Sequence, residues 1–361
     1  MNWSTKLQEW ISMIVARLTR SRHASRGLLL AGAMIVVATL GSGFRIGVRG
    51  SLGPMNVLGF IESTDGIPAQ WVIAAFALGA TLLLLGAGMS WFDWFAAKSD
   101  ANRRAVIVIE LRGLVDTSTS PLLRSVPRKL KGQRLDALVD VRVLTQAGAI
   151  DRAARSVLDI PDLIRRLRGS RELGHVTLVV GGILQVPLLF LAGVLLDDEG
   201  PVTSLDWNRS KGAWRMLDEP DDGQRFVTSG LDELKMGEDH VVLSVSASYC
   251  TSSQAIDATF GNAPRVSLSL SNPLPDLLWS SAKQDALAEQ FVSTVARLGN
   301  KGVRRISLVL AAPASLVIRM GRAYDRRNMP RIACFQYEPA PTPAYPWSVG
   351  IEPGDVRIVP S

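Results

Sequence analysis

The stretch Val176-Thr-Leu-Val-Val-Gly-Gly182 recurs 130 positions later as Ile306-Ser-Leu-Val-Leu-Ala-Ala312. Each copy is an apolar, partly β-branched run that ends in two small residues, a pattern typical of a buried strand followed by a tight turn. The same offset pairs Gly169 with Gly299, each of which closes a helical pattern seven residues before its strand. The chain therefore contains an internal duplication.

Each half of the duplication has the same order of predicted elements: strand, loop, strand, helix, strand, helix and strand. Besides the quoted stretches, the paired segments are 106–111 with 241–246, 137–143 with 265–270, 150–168 with 281–298, and 205–208 with 335–338. Strands that alternate with helices favour parallel, doubly wound α/β sheets. Ligands bind beyond the carboxyl ends of such strands. Two halves packed about a pseudo-two-fold axis therefore predict one composite pocket.

Two uncharged, mostly apolar stretches precede the duplication, at 27–44 and 71–92. At 1.5 Å per residue, stretches of this length span roughly 30 Å of hydrocarbon, so they predict a transmembrane hairpin. Lys and Arg concentrate before the first stretch and after the second, which predicts cytoplasmic termini and an outer loop at 50–65. A signal peptide is the alternative for the first stretch.

Two further segments could contact the membrane. Residues 3–18 place apolar side chains on one helical face, which predicts either an interfacial helix or a short helix packed on the soluble domain. Residues 176–196 carry no charge, but the double glycine and Pro187 oppose a third span, and the repeat partner 306–325 carries charges. We therefore predict a buried soluble strand and helix there. The predicted segments are 1–26 (amphipathic), 27–104 (transmembrane), 105–236 (first half) and 237–361 (second half).

Composition narrows the function classes. The net charge is +7 and the pI about 9.7, which fits the positive-inside bias and permits an anionic ligand. Cys250 and Cys334 fall in a body placed in the reducing cytosol, so we predict free thiols. Three histidines without CxxC or HExxH give no basis for a zinc site. Without GxxxxGK[ST], GxGxxG after a strand or GxSxG, the commonest ATPase, dehydrogenase and hydrolase assignments are disfavoured.

The C-terminal segment 306–325, Ile-Ser-Leu-Val-Leu-Ala-Ala-Pro-Ala-Ser-Leu-Val-Ile-Arg-Met-Gly-Arg-Ala-Tyr-Asp, followed by Pro330-Arg-Ile-Ala-Cys-Phe-Gln-Tyr-Glu-Pro339, resembles the ending of SAVED domains. The resemblance covers roughly 105–352. It implies two fused CARF-like, Rossmann-like units that sense a cyclic oligonucleotide, by resemblance a trinucleotide, made by a CD-NTase enzyme of a CBASS anti-phage system. A two-span transmembrane effector is one known arrangement of this family. It implies no cofactor, no metal and no DNA partner.

Candidate ligand residues follow from the chemistry of such a ring, which offers phosphates, ribose hydroxyls and base faces. Arg and backbone N–H groups suit phosphate, hydroxyl and amide side chains suit sugar and base edges, and aromatic rings suit bases. Small residues at 181–182 and 311–312 would allow a close backbone approach. The candidates are Arg112, Asp116, Thr117, Ser118, Gln185, Trp207, Ser248, Tyr249, Thr251, Ser252, Ser315, Arg319 and Tyr337. The alternative is a solvated turn or helix cap, core packing for the aromatic residues, or a solvated helix face for Arg319.

Three functions fit these patterns. The first is a receptor in the bacterial inner membrane that has no catalytic residue and whose ligand assembles the hairpins into a homo-oligomer that disrupts the bilayer. The second is a membrane-tethered ring nuclease in which Arg112 or Ser315 stabilises the departing phosphate. The third is a structural membrane module. A stripe of small residues at Ala75, Gly79, Gly86 and Ser90 predicts span association, and contact within one hairpin is the alternative.

Overall fold

The computed structural model describes residues 24–41, 44–49, 58–63, 68–339, 343–352 and 355–360. It divides into two compact units, residues 1–100 and 101–361. The predicted amphipathic helix at 3–18 and most of the predicted outer loop lie outside the described residues.

The first unit contains helix α1 (Ala24–Gly41), strands β1 (Phe44–Arg49) and β2 (Leu58–Ser63), and helix α2 (Ala69–Arg103), which continues past the unit boundary. Among the described residues, Gln70–Phe95 is long and apolar enough to cross a membrane, and Ser25–Thr39 is a shorter apolar helix. The predicted first span ran too far, because Phe44 already belongs to β1. The antiparallel pairing of β1 with β2 was not predicted.

Glycines let the two helices of the first unit approach each other. A Cβ on Gly32 would lie 2.8 Å from the carbonyl oxygen of Gly79, and one on Gly86 would lie 2.9 Å from the backbone nitrogen of Leu29. Such contacts are too close for any side chain, so only glycine fits. Gly79 and Gly86 therefore pack within one hairpin, which is the alternative considered for the small-residue stripe.

The second unit holds two sheets. The first-half strands are β3 (Ala105–Arg112), β4 (Gln133–Asp140), β5 (Val176–Ile183), β6 (Val202–Asn208) and β7 (Ala213–Met216). The others are β8 (Val227–Ser229), β9 (His240–Ser246), β10 (Arg265–Ser269), β11 (Arg305–Ala311), β12 (Arg331–Gln336), β13 (Trp347–Glu352) and β14 (Asp355–Pro360). The strand orders are β4-β3-β5-β6-β7 and β14-β13-β12-β11-β9-β10-β8. In each sheet four adjacent strands pair in parallel, β4-β3-β5-β6 in the first and β12-β11-β9-β10 in the second, which confirms the predicted α/β class.

Along the chain, the helices of the second unit alternate with these strands. They are α3 (Leu122–Ser125), α4 (Arg142–Gln146), α5 (Ile150–Leu158), α6 (Ile160–Arg168), α7 (Val186–Leu195), α8 (Ser253–Phe260), α9 (Ser281–Asn300) and α10 (Ala314–Ala323). The predicted helix at 150–168 is two helices that meet at Asp159, and Pro161 sits in the first turn of the second, where its missing N–H costs nothing.

The predicted strand at 137–143 was misplaced. The strand runs from Gln133 to Asp140, and Arg142 opens a short helix. The Asp140 carboxylate accepts a hydrogen bond from the Arg142 N–H at 3.1 Å, a local turn that ends the strand. Because β4 lies at a sheet edge, most of its outward residues are polar, and this hid its first half from a search for apolar runs.

Equivalent hydrogen bonds confirm the duplication. The N–H groups of residues 113 and 114, just after β3, both donate to the carbonyl of Ile183, at 2.9 and 3.0 Å. Those of residues 247 and 248, just after β9, both donate to the carbonyl of Ala311, at 2.9 Å. The structural offset here is therefore 128 (183 to 311), two less than the sequence match indicated. Since side chains alternate with a period of two, this even shift leaves the buried face unchanged.

The two halves share one core through α7 and α10. Residues 187–194 of α7 are all buried, which confirms a soluble core helix rather than a third span. Gly193 of α7 faces Gly321 of α10, and a Cβ on either would overlap backbone atoms of the opposite helix. Phe190 packs edge-on against Phe291 of the second half, with ring centroids 6.2 Å apart. The two halves therefore meet at a helix pair that permits no side chain at its crossing.

Candidate functional site

A cleft lies where the carboxyl ends of strands from both halves meet, as predicted from the duplication. It has a volume of about 180 Å³. The first half contributes the ends of β5 and β6, and the second half contributes the residues after β9 and β11 and the loop before α9. The lining residues are Leu114, Gly182, Ile183, Leu184, Val186, Leu189, Asp206, Trp207, Arg209, Ser248, Tyr249, Pro275, Asp276, Leu278, Trp279, Ala312, Pro313 and Ala314. We call it the inter-half cleft.

Aromatic and cationic side chains at the cleft suit a base and a phosphate. Tyr249 is 48% exposed, and its hydroxyl lies 3.5 Å from a guanidinium nitrogen of Arg209 on the other half. Trp207 is partly buried and is held edge-on by Trp214, with ring centroids 5.2 Å apart. Trp279 donates its indole N–H to the carbonyl of Asp276 at 2.6 Å. The ring and guanidinium that remain most accessible are those of Tyr249 and Arg209.

A buried carboxylate joins the halves beneath the cleft. Asp206 Oδ2 accepts a hydrogen bond from the Ser315 hydroxyl at 2.7 Å, and Asp206 Oδ1 accepts one from the Trp207 N–H at 2.8 Å. Gln284 Nε2 in turn donates to the Ser315 hydroxyl at 2.8 Å. Burial raises the pKa of Asp206, and the hydrogen bonds from Ser315 and Trp207 oppose that rise. The hydroxyl of Ser315 thus forms a hydrogen bond that links the two halves.

Two of the first-loop candidates are held inside the first half. Glu110 on β3 is buried, and its carboxylate accepts hydrogen bonds from Arg112 Nε at 2.7 Å and from the Thr117 hydroxyl. The backbone N–H of Leu122 donates to its second oxygen at 2.8 Å. The ion pair of Arg112 and the hydrogen bond of Thr117 with Glu110 therefore fix the loop after β3. Neither side chain lines the inter-half cleft.

The other first-loop candidates form an exposed turn. Asp116 accepts a hydrogen bond from the Ser118 N–H at 2.9 Å and forms an ion pair with Arg142 at 2.9 Å. Hydrogen bonds from Ser118 and Arg142 lower the pKa of Asp116 to about 2.

Gln185, just before α7, accepts the first helical N–H bonds through its backbone carbonyl, and its buried Oε1 has no partner in the described part of the chain.

The second-half candidates divide between the cleft and local structure. Ser248 and Tyr249 line the cleft. The Thr251 backbone and hydroxyl both contact the Ser246 hydroxyl, at 3.1 and 3.2 Å, and Ser252 caps α8 by accepting from the Ala255 N–H at 3.2 Å.

The last two candidates lie away from the inter-half cleft. Arg319 pairs with Asp285 and lines a different cavity. Tyr337 follows β12 and packs on Tyr345, with ring centroids 5.5 Å apart. The inter-half cleft is therefore lined by three of the thirteen candidates, Trp207, Ser248 and Tyr249.

The small residues also have packing roles. A Cβ on Gly181 would lie 2.7 Å from the Trp214 ring, and one on Gly182 would lie 2.7 Å from Leu189. Side chains of the protein therefore occupy the space that we expected to admit a ligand. Sequence reasoning missed Asp206, Arg209 and the loop 275–279. Asp206 was visible only as part of the repeated segment 205–208, and nothing local marked it as a contact between halves.

Two family models match consecutive parts of the chain. The SAVED family model, described as a SMODS-associated sensor domain fused to various effectors, matches residues 160–351. A second model, Saf_2TM, described as the SAVED-fused 2TM effector domain, matches residues 4–156 and implies two transmembrane spans. The search of curated proteins gives no match.

A search of solved structures finds two receptors with low similarity to the chain. The Acinetobacter baumannii Cap4 SAVED/CARF-domain containing receptor with the cyclic trinucleotide 2'3'3'-cAAA has a TM-score of 0.46 and 13% identity, over 78% of this chain and 58% of that one. The Moraxella osloensis Cap4 receptor has a TM-score of 0.44 and 15% identity, over 78% of this chain and 60% of that one. The chain thus spans less than two thirds of these proteins.

Proposed function

The chain belongs to the SAVED family, and we propose that it is a membrane-anchored receptor that binds a cyclic oligonucleotide in the inter-half cleft and disrupts the inner membrane in anti-phage defence. The observation that carries this proposal is the cleft itself, because strand ends of both halves line it in a chain that joins a SAVED sensor to a 2TM effector. A ring with repeated phosphates and bases suits a site lined by two related halves.

The size of the cleft supports a ligand-driven change of shape. About 180 Å³ is less than the roughly 300–1,000 Å³ of common small-molecule pockets. A cyclic oligonucleotide would therefore bind a wider state, and its differential affinity would shift the population toward that state. We propose that the wider state assembles into a homo-oligomer, because a two-span hairpin is too thin to form a pore alone. We also propose that the receptor releases its ligand uncleaved.

Binding is tested with the full-length protein in detergent against a panel of cyclic di-, tri- and tetranucleotides by calorimetry. Tyr249→Ala should weaken binding by about 1–3 kcal/mol, or roughly 5- to 150-fold, if the ring stacks on a base. Tyr337→Ala is the matched control, because Tyr337 is 49% exposed against 48% for Tyr249 but lies outside the cleft. If none of the cyclic nucleotides binds, the receptor proposal is refuted. If only Tyr337→Ala weakens binding, the ligand does not bind in the inter-half cleft.

The effector step needs separate measurements. The ligand found above should release dye from liposomes that contain the protein and should raise its oligomeric state on a sizing column. Chromatography of the incubated ligand distinguishes the receptor from the ring nuclease, which would yield a linear product. Reporter fusions at Gly50 and at the C-terminus test the proposed topology. An externally active C-terminal reporter would contradict it.

A further inference from the structure

A second cavity opens at the opposite ends of the strands from the inter-half cleft. It lies at the amino ends of β9, β11 and β12 and has a volume of about 840 Å³. Five arginines line it, together with Asp239 as the one carboxylate among the described lining residues. The arginines are Arg304, Arg305, Arg326, Arg327 and Arg331. We call this cavity the arginine cleft.

The sheet register places like charges side by side. Arg305 of β11 is the direct partner of Arg331 of β12 in the parallel pairing. Directly opposed like charges destabilise a sheet. Both side chains are well exposed, at 64% and 60%, so their guanidinium groups can reach a ligand in the cleft.

The carboxylates around the cleft do not neutralise it. Asp239 forms ion pairs with two arginines, at 2.8 Å from Arg305 and 3.8 Å from Arg304. The nearest carboxylates to Arg327 and Arg331 lie at 3.8 and 3.6 Å and are solvent-accessible. Exposed pairs at such distances are worth little. Arg326 has no carboxylate partner within the described part of the chain. The cleft therefore keeps a positive surplus.

The first half shows that the fold does not require this cluster. With the structural offsets of 128 at β5 and 130 at β6, Thr177 and Pro201 take the places of Arg305 and Arg331. The loop after α7 carries the acidic run 197–199, whereas the loop after α10 carries Arg326 and Arg327. The same architecture is thus built without the arginines, so their clustering needs a separate explanation.

We propose that the arginine cleft binds phosphate groups. A guanidinium presents paired N–H donors that match two phosphate oxygens, and several guanidiniums around one cavity suit a ligand with more than one negative charge. The volume lies within the range of common small-molecule sites. The phosphates can belong to a free small molecule or to the headgroups of anionic lipids. The site is separate from the inter-half cleft, so this inference does not rest on the proposed function.

The test uses the full-length protein in phosphatidylcholine nanodiscs, with inorganic pyrophosphate as the probe at constant ionic strength. Calorimetry should detect binding that weakens at least tenfold in the double variant Arg305→Gln with Arg331→Gln. A second variant, Arg326→Gln with Arg327→Gln, changes two residues in a loop outside the sheet and should also weaken binding. A loss of affinity in this variant cannot come from a disturbed sheet. Arg165→Gln with Arg166→Gln, on α6, removes the same charge elsewhere and should leave the affinity within twofold.

Hydrogen exchange of segment 324–331 identifies the source of the phosphate. Protection in nanodiscs that contain phosphatidylglycerol, relative to phosphatidylcholine alone, supports lipid headgroups. Unchanged exchange, together with pyrophosphate binding, supports a free phosphate compound. If pyrophosphate does not bind, or if the cleft and α6 variants lose affinity equally, the arginines act only through general charge and the proposal is overturned.

Discussion

Gly193→Ala and Gly321→Ala should each destabilise the protein, although alanine is the better helix former. The two glycines face each other where α7 crosses α10. An ideal Cβ on Gly193 would overlap the carbonyl oxygen of Ile318 and lie 3.0 Å from the backbone nitrogen of Arg322. One on Gly321 would overlap the carbonyl oxygen of Phe190. The obstructing atoms belong to backbone, so the helices themselves must separate to admit a methyl group.

The expected magnitude follows from two opposing effects. Replacing glycine by alanine within a helix gains about 0.5–1 kcal/mol from backbone entropy. Overpacking a buried contact costs about 1–3 kcal/mol, and here the neighbours are backbone in a fully buried helix. We expect a net loss of about 1–2 kcal/mol for each variant, which corresponds to roughly 2–8 °C in Tm for a unit of this size. Because the two sites touch, the double variant should lose less than the sum.

The assay is thermal and urea denaturation of the full-length protein in detergent. Gly174→Ala is the control, because a Cβ there meets nothing within 4 Å, and it should change the free energy of unfolding by less than about 0.5 kcal/mol. If both helix-crossing variants are more stable than the wild type, the halves do not pack through this glycine pair and the account of the shared core is wrong.

Three further predictions concern other buried contacts. Gly86→Leu should separate the helices of the first unit and reduce crosslinking between them, because its Cβ would clash with α1, whereas Gly88→Leu should not, since it has open space. Glu110→Gln should cost about 3–5 kcal/mol of stability because it leaves the buried Arg112 charge unpaired; a loss below 1 kcal/mol in urea denaturation would contradict the buried ion pair. Burial raises the pKa of Asp206 above the ordinary 3.8, so its contribution to stability is greatest below that value and falls as pH rises through the raised pKa. The stability of Asp206→Asn relative to wild type should therefore improve as pH rises from about 4, and a constant difference would contradict the raised pKa.

The duplication made most of the fold predictable. Apolar runs buried on both faces, such as β5 and β11, are recognisable without tertiary information, and their recurrence fixed the element order. The errors fell where local signals compete with tertiary ones. The edge strand β4 begins with the polar pair Gln133 and Arg134, and Pro161 divides a helical pattern that otherwise continues. The β1–β2 hairpin sits beside an apolar helix whose composition extended the predicted span to Phe44.

The site was less predictable because several of its polar residues form hydrogen bonds with other side chains of the protein. The sequence presented Arg112 and Thr117 as free ligands for a phosphate or hydroxyl, but the buried Glu110 binds both. Likewise Ser315 meets the Asp206 carboxylate, which lies 109 positions away in the chain. A residue type shows which bonds a side chain can form, whereas only the fold determines which partner reaches it first.

The differences between the halves say more about function than their similarity does. Trp207, within β6, and Tyr337, just after β12, occupy matching positions of the sequence repeat. Trp207 lines the inter-half cleft, whereas Tyr337 packs on the Tyr345 ring. At the other ends of the strands, Arg331 takes the place of Pro201. The chemically divergent positions are therefore where we expect the recognition of ligands to reside, and both clefts lie at such positions.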